Sequence, residues 1–165
     1  FTVAGLLRSG DAMIGFVEGP GAPLGLRSHV VAHEALIPVV GPAHRWFGRR
    51  RSVTADALVA ETLILRPRGS GTLDVIEAAL AANDAGPIGD SIEVASSSAA
   101  RLGAVNGAGV TLLPLCEVDD DVRARHLTHV RVSDLSFEQP VRIAWRGDQP
   151  ASAAARRLRS VSGDG

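Results

Sequence analysis

The chain has 165 residues, 45% hydrophobic and 21% charged, with a formal net charge of −1. That length suits one globular domain, and 17 basic against 18 acidic residues leave no basic excess for a dedicated nucleic-acid surface. A single cysteine, Cys116, excludes an intramolecular disulfide framework, and no apolar run approaches the roughly 18 residues of a membrane span. All basic residues are arginine, there is no tyrosine, and the sequence opens on Phe1 inside an amphipathic pattern.

In chain order, Val3, Leu6 and Leu7 share one face of a helix over 1–9, which Gly10 stops. Residues 12–17 form a short apolar run that predicts a strand buried on both faces, turned by Glu18-Gly19-Pro20-Gly21. Residues 27–32 and 35–40 read as two strands separated by His33-Glu34, and 41–52 as an irregular stretch carrying Arg49-Arg50-Arg51. Thr54 caps a short helix over 55–60, and 62–65 is a strand. A polar loop, Arg66 to Thr72, then leads into a helix over 73–82 with Leu73, Ile76 and Leu80 on one face.

The same grammar repeats: a strand over 92–94, a Ser96-Ser97-Ser98 cap, a helix over 99–105, and a strand over 110–113 closed by Pro114. A short helix over 118–125 would place Asp119, Asp120 and Asp121 near its positive end. Strands over 129–132 and 141–145 and a helix over 152–161 complete an α/β domain expected to rest on mostly parallel sheet.

The loop ILRPRGSGTLDV is the most informative stretch. Two glycines permit close backbone approach, Ser70 and Thr72 offer hydroxyls, and the following helix presents free N–H groups. A small anion or carboxylate fits that chemistry; so does a plain helix cap. Ser96-Ser97-Ser98 carries the same two readings, and two such caps at strand ends of one sheet point toward a common crevice.

Enzyme signatures fail. There is no phosphate loop, since there is no lysine, and Gly69-Ser70-Gly71 is not a nucleophile elbow. His29 and His33 fall on a strand rather than a helix, so their spacing does not suit a metal, and no metal or cofactor is expected. Cys116 reads as a buried structural thiol, His126 and His129 as surface or strand-end residues, and the arginine run as a solvated patch. No catalytic residue is assigned.

Taken together, GDAMIGFVEGP, ALIPVVGPAHRW, RRSVTADALVAETLILRPRGSGT and IEVASSSAARLGAVNGAGVTLLP resemble the effector-binding domain of LysR-type transcriptional regulators. The closing VRIAWRGDQPASAAARRLRSV resembles that domain's last strand and helix. The resemblance implies a type 2 periplasmic-binding-protein fold, with two α/β lobes joined by two crossover strands and a small, anionic effector between them. The crossings are expected near 41–51 and 130–140, giving lobe I as residues 1 to about 45 with about 135 to 165, and lobe II as about 46 to 134. Carried over residue by residue, Glu18, Ser70, Gly71, Thr72, Ser96 and Ser97 would bind the effector.

VEGP with LRxxGSGT most resembles the sulfur-metabolism subfamily, related to regulators of sulfite reduction. Pro67-Arg68, Leu73, Ala95 and Met13 depart from that subfamily's Glu-Pro, Arg, Gly and Asp, and these departures bear on the effector rather than on the fold. The family's winged helix-turn-helix is absent from this sequence, and lobe I is expected to be incomplete at its N-terminus, short of its first strand–helix–strand unit. The family further implies a cytoplasmic homodimer or homotetramer that reaches DNA through that N-terminal domain, with no membrane partner. The competing reading is a solute-binding protein of a transport system, which shares the fold; an α/β enzyme and a degenerate remnant are further alternatives.

Overall fold

In the computed structural model, residues 2–148 are described. The helix expected over 152–161 lies outside them. Residues 35–138 form one compact unit, and the residues on either side of them in sequence form a second.

The flanking unit begins with α1 (Val3–Ser9), capped by Thr2, whose hydroxyl accepts from Gly5 N. Gly10 ends it in the left-handed region (φ 87°), a conformation glycine adopts without steric cost. Next come β1 (Ile14–Glu18), β2 (Arg27–Val40) and the late strand β7 (Phe137–Trp145), with β7 lying between β1 and β2. β1 and β7 are antiparallel, from Ile14 opposite Trp145 to Glu18 opposite Val141.

Two expectations change here. β1 is not buried on both faces: α1 packs against it, with Val3 and Leu7 at Gly15, yet Phe16 is 49% exposed, and the strand also lies at the sheet edge among the described residues. β2 is one continuous strand rather than two. His33-Glu34 does not interrupt it, since ladder pairing depends on backbone groups and neither residue is Gly or Pro. Both β2 and β7 run from one unit into the other.

Within 35–138 the remaining elements are α2 (Ala55–Val59), β3 (Leu63–Leu65), α3 (Gly71–Ala82), β4 (Ser91–Glu93), α4 (Ser97–Val105), β5 (Val110–Pro114), α5 (Leu115–Arg123) and β6 (Thr128–His129). The strand order is β4-β3-β5-β2, with β6 also on β2. β4, β3 and β5 are mutually parallel, whereas β2 is antiparallel to both β5 and β6, so the sheet is mixed rather than mostly parallel.

Period-two alternation places Leu63 and Leu65 of β3 in one core cluster and Ile64 in the other. α3 packs on the first face through Leu73, Val75, Ile76 and Leu80. α4 and α5 cover the second through Ala100, Ala104 and Val118. Each fully buried Leu or Ile contributes about 1.5–3 kcal/mol, which is why the apolar triplet LIL suffices as a central strand. Thr111, 1% exposed in β5, satisfies its hydroxyl by donating to Ile64 O at 2.9 Å.

α5 starts at Leu115, three residues earlier than its apolar pattern indicates, so Asp119–Asp121 sit past its first turn. Asp119 and Asp121 instead pair with Arg123, Arg101 and His126. The early start also puts Cys116 on the first turn, where it is exposed, correcting its assignment as a buried thiol. The strand expected over 129–132 is only Thr128–His129, followed by a single parallel bridge from Val53 to Val132.

Candidate functional site

β3 and β4 lie side by side and parallel, with Leu65 opposite Glu93, so both chains leave the sheet at the same edge. From β3 the loop 66–70 enters α3; from β4 residues 94–96 enter α4. α3 lies on one face of the sheet and α4 on the other. The winding reverses here: the chain steps outward from β3 to β4, then returns across β3 to β5. A reversal of this kind opens a crevice at the strand carboxyl ends, beside helix N-termini whose unpaired N–H groups carry partial positive charge. β5 adds a third helix start, Pro114–Leu115, at the same edge.

The two expected caps are not equivalent. Ser96 is a working cap, its hydroxyl accepting from Ala99 N at 3.1 Å. Ser70 occupies the N-cap position of α3 but makes no side-chain cap bond, which leaves its hydroxyl uncommitted among the described residues. Gly71 is the first residue of α3, and Thr72 follows it at 9% exposure. Ser97 Oγ accepts from Arg66 Nη1 at 3.4 Å. The structure therefore brings Ser70, Gly71, Thr72, Ser96 and Ser97 to one edge of one sheet. Glu18 belongs to the flanking unit, exposed at the end of β1 opposite Val141.

Sequence reasoning missed Arg66. It is half-buried, and its Nε is enclosed without a hydrogen-bond partner, whereas Arg68, two residues on, is exposed. The signal was present in the alternation of β3. Ile64 faces the layer that holds α4, so the residue two further along faces it too, toward Ser97. Glu61, the nearest carboxylate in sequence, is engaged by His44 and Arg45, and the next acids along these two strand–helix units, Asp74 and Glu93, are exposed. A half-buried guanidinium, free hydroxyls and two helix N-termini at one edge form a combination suited to holding an anion.

His29 and His33 are exposed on β2, and among the described residues no group of three His, Cys, Asp or Glu side chains is placed to hold a metal ion. No helix among the described residues is long and apolar enough to cross a membrane.

The sequence matches the LysR substrate binding domain family over residues 2–164. The HTH-type transcriptional regulator Rv2282c of Mycobacterium tuberculosis is 34% identical over 157 residues, covering 92% of this chain and 49% of the relative. The chain thus spans about half the length of the curated relatives it matches. The regulatory domain of Synechocystis CcmR, solved in complex with 2-PG, superposes with a TM-score of 0.78 at 15% identity, covering 97% of this chain and 76% of that one. The effector binding domain of QuiR, solved with shikimate, gives a TM-score of 0.81 at 12% identity, covering 97% and 74%. At those identities the likeness is one of fold, that of LysR regulatory domains, which are of the type 2 periplasmic-binding-protein kind. With the family match across nearly its whole length, the chain belongs to the LysR substrate-binding domain family, the effector-binding part of LysR-type regulators.

Proposed function

We propose that this domain senses a small anion held at the carboxyl ends of β3 and β4. The observation that carries the reading is Arg66, a half-buried guanidinium with one enclosed, unpartnered N–H, set between the starts of α3 and α4. Ser70 and Thr72 would supply hydroxyl donors, Gly71 a backbone N–H, and Ser97 a hydroxyl already oriented by Arg66. Ser96 acts chiefly as the cap that fixes α4. Glu18 is proposed as an effector contact by resemblance, its support being the VEGP motif. Two fold neighbours were solved with small ligands, 2-PG and shikimate, and shikimate carries a carboxylate.

The LRxxGSGT pattern supports placement in the sulfur-metabolism subfamily, which makes sulfur oxyanions the first ligands to try. The domain would act within a cytoplasmic, oligomeric regulator that binds DNA through a helix-turn-helix segment and catalyses no reaction. In such a regulator, effector binding biases the arrangement of the DNA-binding segments by its differential affinity for two states. A transport solute-binding protein is not favoured, because a relative matched over 92% of this chain is a transcriptional regulator.

The test is calorimetric titration and thermal shift with sulfate, sulfite, thiosulfate and small carboxylates. A true ligand at about 100 times its Kd stabilises the domain by about 2.7 kcal/mol. Arg66→Met should abolish the shift. An anion whose stabilising effect survives unchanged in Arg66→Met and in Ser70→Ala with Thr72→Val would sink the assignment, as would a panel with no binder.

A further inference from the structure

A second cationic feature lies at the other end of the same sheet. Arg49, Arg50, Arg125, His129 and Arg131 line a groove of about 680 Å³, together with Phe47, Val122 and neighbouring backbone. Distant parts of the sequence meet there: the loop after β2, the turn after α5, and β6 with the residues that follow it. Two hydrogen bonds fix them side by side, Gly48 N donating to Thr128 Oγ1 at 3.0 Å and Val53 N to Arg131 O at 2.9 Å.

The charge in this groove is unbalanced. None of its four arginines makes an ion pair among the described residues, and no Asp or Glu lines the groove. Of the acids of adjacent α5, Asp121 is engaged by Arg101 and His126 and Asp119 by Arg123, while the exposed Glu117 and Asp120 do not line the groove. Arg125 is held at φ 60°, a left-handed conformation uncommon for residues other than glycine. Burial, and secondarily the Arg131 guanidinium, hold the His129 imidazole below its usual pKa. The whole chain has a net charge of −1, so this is a local concentration rather than general basicity.

The groove is separate from the candidate effector site. Val39 of β2 faces Thr111 of antiparallel β5 and also His129 of β6, which puts the groove near the amino ends of the parallel strands. α5 spans the interval: it starts at the carboxyl end of β5 and, nine residues and roughly 13 Å later, ends beside Arg125.

We propose that this groove binds a small anion carrying two or more phosphoryl groups, held by Arg49, Arg50, Arg125 and Arg131. Guanidinium forks match phosphate oxygens two at a time, and four of them exceed what one carboxylate neutralises. The volume falls within the range of small-ligand pockets. A single half-open groove, rather than an extended basic stripe with stacked aromatic residues, favours a small anion over a nucleic acid.

The experiment titrates the protein with tripolyphosphate, pyrophosphate and orthophosphate in about 0.1 M salt, with a 20-base-pair duplex DNA as competitor. Tripolyphosphate should bind at least about 10-fold more tightly than orthophosphate, and Arg125→Ala with Arg131→Ala should weaken it by at least about 10-fold. Arg49→Gln with Arg50→Gln, on an exposed loop, should do likewise without loss of fold. Arg66→Met should leave this binding intact, which separates the groove from the strand-end site. No detectable tripolyphosphate binding, affinity indifferent to both arginine pairs, or displacement by duplex DNA at equal phosphate concentration would each overturn the assignment.

Discussion

Arg66 Nη1 donates to Ser97 Oγ across 3.4 Å, joining the end of β3 to the first turn of α4 while Arg66 Nε stays enclosed with no partner. A buried donor left unsatisfied costs about 1–3 kcal/mol, a penalty worth retaining only if something else takes that N–H. Arg66→Met keeps the apolar stem and removes the unsatisfied group. Its unfolding free energy in urea should therefore match or exceed the parent's by up to about 1 kcal/mol, while anion affinity is lost. A clear loss of stability would mean that Arg66 is structural.

The serines at the two helix starts should separate in the same measurement. Ser96 Oγ accepts from Ala99 N at 3.1 Å, so Ser96→Ala should cost about 1 kcal/mol. Ser70 makes no such bond, and Ser70→Ala should cost less than about 0.5 kcal/mol. Equal losses at the two positions would show that Ser70 caps α3 after all.

What was legible in the sequence was local. Thr54, Ser96 and Gly10 sit at the helix boundaries their chemistry dictates, and Leu73, Ile76 and Leu80 are buried together as their spacing requires. The strand–loop–helix at Arg66 to Thr72 and its counterpart at Ser96 also stand where the order of elements put them. What escaped depends on partners remote in sequence. Whether β1 is central or at an edge is decided by its neighbours, not by its own apolar run. The run Arg49-Arg50-Arg51 is exposed, as a solvated patch should be, but that Arg49 and Arg50 line a groove depends on Thr128 and Arg131, drawn alongside from about 80 residues away. Ser70 and Ser96 look alike as caps, and only the observed hydrogen bonds tell them apart.

The close approach of α4 to the end of β2 gives a steric prediction. A Cβ added at Gly41 would lie 2.2 Å from Ala104 O, 2.6 Å from Val105 O and 2.8 Å from Val105 Cα. These are backbone atoms at the end of a packed helix, so no side-chain rotation relieves the clash. Gly41→Ala should destabilise the 35–138 unit by about 3 kcal/mol, at the upper end of overpacking costs. Chemical denaturation checks it, and a loss below about 1 kcal/mol would mean that α4 shifts freely.

His129 gives a pH dependence with a defined sign. Burial, and secondarily Arg131, lower its pKa in the folded protein below the ordinary histidine value of about 6.5. Between the folded and unfolded values the unfolded chain binds more protons, so stability rises with pH through that interval. The contribution is fully present above about pH 6.5 and is lost as pH falls through the lowered folded value. Urea midpoints at pH 7.5 and at pH 5 should differ in that direction for the parent protein. The difference should shrink in His129→Gln, which cannot titrate, and partly in Arg131→Ala, which removes only the smaller cause. The informative quantity is the change in slope between parent and variant. An identical pH dependence in the parent and in His129→Gln would show that His129 is solvated and free of the arginine's field.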